Sequence, residues 1–183
     1  MSATKGSLAR VLLVTGKGGV GKTTVAAGLA VAEVEANGSA ALVEFGDGES
    51  GQRALGDARN LRGLTHVVIH PAEAIERAAT PLLGGALMAK LTLGNFAVKR
   101  MLRAAPAIRE LAMLECVRMV SAEKPNRRVI VDLPATGHGL AWLAVSSQLR
   151  AATSSGPLHD LCVRLERDLV RAGMCSPVVV TLP

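Results

Sequence analysis

The sequence has no tyrosine, one tryptophan and two phenylalanines in 183 residues, so aromatics make up only 2% of it. The core must be packed from Ala, Val, Leu, Ile and Met instead. So few rings also argue against stacking nucleobases on exposed side chains, and nucleic acid is not the expected partner on that ground. Cysteine is scarce as well. The three thiols, Cys116, Cys162 and Cys175, show no C-x-x-C spacing. That excludes a disulfide framework and leaves no zinc-ligand pattern, and an odd count suits a reducing cytosol. Long apolar runs are missing. Val11–Val14 leads straight into Gly16-Lys17, and the charge-free stretch Leu133–Leu149 is broken by Pro134, Gly137, His138 and Gly139. Neither reads as a membrane span, no signal peptide is visible, and a soluble, cytoplasmic chain is expected.

Hydrophobic residues make up 49% of the sequence, ample for a packed core. Lys and Arg outnumber Asp and Glu by 21 to 15, a net charge of +6. This balance favours a polyanionic partner such as a nucleotide, a nucleic acid or an acidic lipid, without choosing among them. Arg10–Thr15 is a short β-branched run that ends at a glycine cluster, which predicts a buried strand. Lys22–Asn37 is Ala-rich and stops at Gly38, which predicts a capped helix. Ala40–Phe45 predicts a second strand, followed by the loop Gly46–Gly51. Together these read as a right-handed βαβ unit with a parallel strand pair. Further strands are expected at His66–His70, Val129–Asp132 and Pro177–Leu182. Helices are expected at Leu140–Leu149 and Pro157–Ala172. The expected class is α/β, a mainly parallel sheet flanked by helices, with a helical insertion over about residues 72–122.

Gly16-Lys17-Gly18-Gly19-Val20-Gly21-Lys22-Thr23 matches G-x-x-x-x-G-K-[ST] in full, leaving a predicted strand and opening a predicted helix. Glycines let successive backbone N–H groups turn inward as an anion nest, and the helix dipole adds to the same field. Such a loop binds the phosphates of a nucleotide. Lys22 supplies a point charge to the β and γ oxygens, Thr23 is a Mg²⁺ ligand, and Thr24 follows in the first helical turn. Asp132 closes a buried strand, where ligands bind in open α/β sheets, and an acid there can hold a Mg²⁺-bound water.

The local string Gly16–Thr24, GKGGVGKTT, resembles the deviant phosphate loop of the dimeric ATPases. That class includes the partition and division-site proteins, nitrogenase iron protein and the ArsA/Get3 group. The resemblance implies that Lys17 reaches across a dimer to the partner's nucleotide, and that ATP closes a homodimer or a heterodimer with a related ATPase. Asp132–His138, DLPATGH, resembles the D-T-A-P-T-G-H switch II motif of the ArsA/Get3 family, with Asp132, Thr136, Gly137 and His138 in place and the proline one position early. Ala105–Leu114 and Gly63–Ala74 also resemble passages of that family, in family order. The chain is expected to be a Mg-ATPase of this type that couples dimer closure to binding and release of a client or membrane partner.

One segment departs from that pattern. Where better-known members carry Asp-Pro-Ala, the sequence reads Val43-Glu44-Phe45-Gly46-Asp47-Gly48-Glu49-Ser50-Gly51. Asp47 is the candidate acid that orients the attacking water, with Glu44 and Glu49 as rivals. Slow or absent hydrolysis, as in a nucleotide-binding partner subunit, is the reading this departure leaves open. A positioning ATPase of the partition type, binding DNA or membrane, is another. Leu82–Val120 carries more apolar surface than one helix can bury on one sheet. Its helices either pack on each other or present an adaptable, Met-containing surface to a hydrophobic client. The three cysteines are expected to be inert, Lys124–Arg128 a solvated turn, and His66, His70 and His159 without a role. The resemblance also implies that the family domain continues past Val178–Pro183 with segments that contact adenine.

Overall fold

The computed structural model describes residues 9–82, 106–134, 139–171 and 173–181. Five strands are present among them: β1 (Val11–Gly16), β2 (Ala40–Phe45), β3 (Leu64–Ile69), β4 (Arg128–Asp132) and β5 (Cys175–Val180). All pair in parallel, in the order β3-β2-β4-β1-β5. The helices are α1 (Lys22–Asn37), α2 (Glu49–Leu55), α3 (Pro71–Leu82), α4 (Pro106–Glu123), α5 (Gly139–Ala151) and α6 (Pro157–Leu165). The chain is thus a five-stranded parallel α/β domain, as expected.

Strand alternation divides the core into two layers. Leu12, Val14, Ala40, Leu42 and Ile130 face α1, which answers with Ala26, Ala27, Ala30 and Val34. Those small residues let the helix lie close to the sheet. On the other side Val11, Leu13, Ala41, Val43, Val129 and Val131 meet α3 to α6. Phe45 and Trp142 meet there edge to face, with ring centroids 5.4 Å apart. Cys116 and Cys162 are buried in this layer. Burial pushes the Cys116 thiol up to about 11 and the Cys175 thiol up to about 12, as the inert reading requires.

Several boundaries differ from those expected. The helix expected from Pro157 to Ala172 is α6 followed by a π-helical turn at Glu166–Val170. Leu161, Leu165 and Leu169 nevertheless keep one buried face. Pro71 opens α3 at a position where its missing N–H costs nothing, in addition to closing β3. The expected solvated turn at Lys124–Arg128 is corrected at its last two residues: Arg128 opens β4, half-buried and paired with Glu33, and Arg127 is 3% exposed. Its guanidinium donates to the Val120 carbonyl at 3.1 Å and to Glu123 at 3.2 Å. Of the expected insertion, α3 and α4 are described, and they pack on each other and on the sheet. The apolar residues from Leu82 to Leu102 and the switch residues Thr136, Gly137 and His138 lie outside the described side chains.

Glu115 of α4 is 1% exposed, and Arg118 donates to both of its oxygens at 2.7 Å. Arg118 also stands 3.5 Å from Asp168 in the π-helical turn. Removing the cation strands a buried carboxylate. Arg118→Met is expected to cost about 3 kcal/mol in urea unfolding, and the double replacement Glu115→Leu/Arg118→Met markedly less.

Candidate functional site

The parallel register sets the level at which the functional residues stand. β4 lies between β1 and β2, with Asp132 opposite Val14 on one side and Glu44 on the other. The chain leaves β1 at Gly16, so the glycine loop emerges just beyond Asp132. Lys17, Gly18 and Gly19 are exposed, Val20 is half-buried, and Gly21 precedes the first residue of α1. Gly19 and Gly21 take φ values of 81° and 88°, a left-handed backbone that favours glycine, and with them the loop turns into α1.

Three predicted residues come together beneath that loop. Lys22 is 8% exposed, and its ammonium donates to the Lys17 carbonyl at 3.2 Å, inside the loop's curve. The Thr23 hydroxyl donates to Asp132 Oδ2 at 2.5 Å, joining the first turn of α1 to the end of β4. Asp132 Oδ1 is buried and takes no hydrogen bond from any described residue. Burial pushes the Asp132 carboxyl above its ordinary range. The Thr23 hydrogen bond pulls it back, the charge of Glu44 pushes the same way as burial, and Lys22 opposes it. A hydroxyl and a carboxylate with a spare buried oxygen form an oxygen donor set of the kind that suits Mg²⁺ and its water shell. These residues therefore fit the cation expected from the motif. Among the described residues there is no cluster of three or more His, Cys, Asp or Glu that could hold a metal ion.

A cavity of about 460 Å³ opens beside the loop. Gly19, Gly21, Lys22, Thr23 and Thr24 line one wall, and Ser50 and Arg53 of α2 line the other. That volume lies within the range of small-molecule sites. Neither Ser50 nor Arg53 carried a signal in the sequence, since Ser50 falls in the stretch Gly46–Gly51 that reads there as a loop and Arg53 belongs to no motif.

Other predicted residues are less closely engaged. Asp47 is exposed, and its Oδ1 accepts the Glu49 N–H at 3.0 Å, at the start of α2. It does not line the cavity. Glu44, its rival, is 6% exposed at the end of β2 and is held by the Gly51 N–H at 2.9 Å and by His66 Nε2 at 3.1 Å. His66, which has no role on sequence grounds, therefore has a partner. Only strand register reveals it, since β2 and β3 pair Leu42 with His66 and place Glu44 one pleat further on.

Residues 11–131 match the sequence profile of the CobQ/CobB/MinD/ParA nucleotide binding domain. The chain is also similar to an uncharacterized protein of Streptomyces coelicolor, with 32% identity over 154 residues, covering 78% of this chain and 38% of that protein. It therefore spans well under half the length of that relative. The matched segment begins at β1 and ends one residue short of Asp132, so it contains the whole glycine loop, α1 and both strands that flank β4. On this match and this architecture, the chain belongs to the CobQ/CobB/MinD/ParA nucleotide-binding domain family of P-loop NTPases.

Proposed function

We propose that the chain is a Mg-ATP-binding and -hydrolysing ATPase of the ArsA/Get3 type, working as a homodimer or as a heterodimer with a related ATPase. The Thr23–Asp132 contact under a glycine loop whose Lys22 is already turned inward supports the binding of a nucleotide with its cation, and the resemblance of Asp132–His138 to the family's switch II motif supports the ArsA/Get3 type. The loop N–H groups from Gly16 to Lys22 and the Lys22 ammonium hold the β and γ phosphates, and Thr24 stands beside them in the cavity wall. Thr23 and Asp132 would hold the cation, Asp132 through water. Magnesium there would offset the negative charge of the phosphates. Asp47, on the exposed loop after β2, orients a water toward the γ phosphorus. Attack breaks the bond to the bridging oxygen and releases ADP and phosphate. Lys17 is exposed, which leaves its ammonium accessible to the partner's phosphates. Hydrolysis then relaxes the dimer, and the insertion between β3 and β4 passes the change to a hydrophobic client or a membrane protein.

The family profile names MinD and ParA, which favours a second reading as a positioning ATPase of the partition type. ATP-dependent retention on nonspecific DNA, lost steeply as salt rises, would select it over the first.

Three outcomes are expected. Lys22→Ala weakens ATP binding by roughly a hundredfold in calorimetry, because a charge-assisted contact to phosphate is lost. Wild-type affinity in that variant would overturn the site. Lys17→Ala keeps nucleotide affinity but loses ATP-dependent dimerisation, read as mass in solution. Asp47→Asn abolishes turnover without changing ATP affinity, whereas a wild-type protein that binds ATP without turnover would be a hydrolysis-deficient subunit.

Asp132 gives a fourth outcome with a defined sign. Its folded carboxyl holds its proton above the ordinary value of 3.8. Between that value and the raised one, the folded chain retains a proton that the unfolded chain has lost. Stability of the nucleotide-free chain therefore falls as pH rises through that window. Asp132→Asn should remove this slope and raise the thermal midpoint at pH 7, while losing the Mg²⁺-dependent part of ATP binding. A lower midpoint would contradict the burial argument.

A further inference from the structure

The short helix α2 is held on the strands by one side. Gly48, just before it, sits so close to β3 that a Cβ there would run into Val68. The Gly51 N–H reaches Glu44 at the end of β2, and Leu55 is buried in the α1-side layer. Gly51 and Leu55 are four residues apart and so share a helix face. Ser50 and Arg53 fall away from that face, and both are exposed and line the cavity beside the glycine loop.

The lining of that cavity is unbalanced in charge. Lys22 and Arg53 line it together with Thr23, Thr24 and Ser50, and no carboxylate is among the described residues that do. Among the described residues Arg53 makes no ion pair and no hydrogen bond. Glu49, one helical turn earlier, is spaced for an i,i+4 pair but does not come within ion-pair distance. Arg59, in the 3-10 turn Gly56–Asn60, shares a neighbouring hollow of about 330 Å³ with Arg53 and Glu49, and does not line the cavity itself. Two cations that face one cavity without an acid repel each other until an anion lies between them. A guanidinium also offers a planar fork of donors that matches the oxygens of a phosphate.

We infer that Arg53 is a second cation of the nucleotide site, binding the phosphate chain from the α2 side, across the cavity from Lys22. The inference rests on the nucleotide reading above and adds a contact that the glycine-loop motif does not supply. It also gives the anchoring of α2 a consequence. Gly51 and Leu55 fix the helix on the strands, so its guanidinium is carried at the rim of the cavity before a ligand arrives, and less freedom is lost on binding. The competing account makes Arg53 a solvated surface residue and nothing more.

The test is calorimetric titration of the whole chain with Mg-ATP and with Mg-tripolyphosphate, which carries the phosphates without sugar or base. The proteins are wild type, Arg53→Ala, Arg53→Gln, Arg53→Lys and Arg59→Ala. Arg53→Ala and Arg53→Gln are expected to weaken both ligands about tenfold, the loss of one charge-assisted contact. Arg53→Lys recovers part of that loss, because it restores the charge but not the fork. Arg59→Ala binds both ligands as wild type does. Thermal midpoints of the ligand-free variants stay at the wild-type value, since the Arg53 side chain makes no bond to the described fold. An Arg53→Ala protein with wild-type affinity for both ligands overturns the inference. So does one that weakens ATP but not tripolyphosphate, which would put Arg53 at the sugar or base. An equal loss in Arg59→Ala would reduce the effect to a long-range field and overturns it too. A lowered midpoint alongside the lost affinity would make Arg53 a structural part of α2, with the same result. A wild-type chain that binds neither ligand overturns the nucleotide reading itself and this proposal with it.

Discussion

The Thr23 hydroxyl and the Asp132 carboxylate lie 109 residues apart in the chain and 2.5 Å apart in space, and the pairing of β1 with β4 closes that distance. The register Val14↔Asp132 puts the carboxylate level with the last turn of β1 before the loop. The small face of α1 (Ala26, Ala27, Ala30) brings the first turn of the helix, and Thr23 with it, down onto the sheet. A slip of one residue in β4 would turn Asp132 to the other face. Buried apolar residues on both faces of β4 resist that slip, since Val129 and Val131 pack on one side and Ile130 on the other. Site geometry and core packing are therefore one constraint.

That constraint has an electrostatic cost. Asp132 is buried beside Glu44 with one oxygen unpaired, so the nucleotide-free fold carries an unfavourable term at neutral pH. Lys22 and Thr23 relieve part of it. A divalent cation with phosphates would relieve the rest, which ties ligand binding to the stability of the strand ends. The opposite treatment of charge is seen at Glu115, an even more deeply buried acid. Arg118 satisfies both of its oxygens, and nothing in that pair calls for a ligand. A fully paired buried acid supports structure, and a half-paired one at a strand end points to function.

Much of this was legible in the sequence because local and tertiary preferences agree. The bounds of α1 and β2 follow from an Ala-rich run stopped by Gly38 and from a short apolar run closed by Gly46. The glycine loop, Lys22, Thr23 and Asp132 followed from motif and strand position. What failed to show depends on partners distant in the chain. α2 is a seven-residue helix, ESGQRAL, with glycines inside it and on both sides, so its propensity is poor. Burial of Leu55 and the bond from Gly51 to Glu44 hold it in place. His66 needs the β2–β3 register before it acquires a partner. Arg127 reads as a solvated turn until the end of α4 folds over it and supplies the Val120 carbonyl.

The short α2 also explains why so glycine-rich a stretch should be ordered at all. Its outer residues Ser50 and Arg53 face the cavity beside the phosphate loop, while the Gly51 N–H between them points inward to Glu44. One helical turn thus joins the wall of the cavity to a carboxylate at the strand ends. A side chain at position 51 would run into Glu44 and the His66 ring, so this close approach of α2 to the strand end depends on glycine there. The glycine-rich segment after β2 therefore touches both the cavity wall and the strand end. Around it, Glu44 is fixed by the Gly51 N–H and by His66, while Asp47 separately accepts the Glu49 N–H at the start of α2.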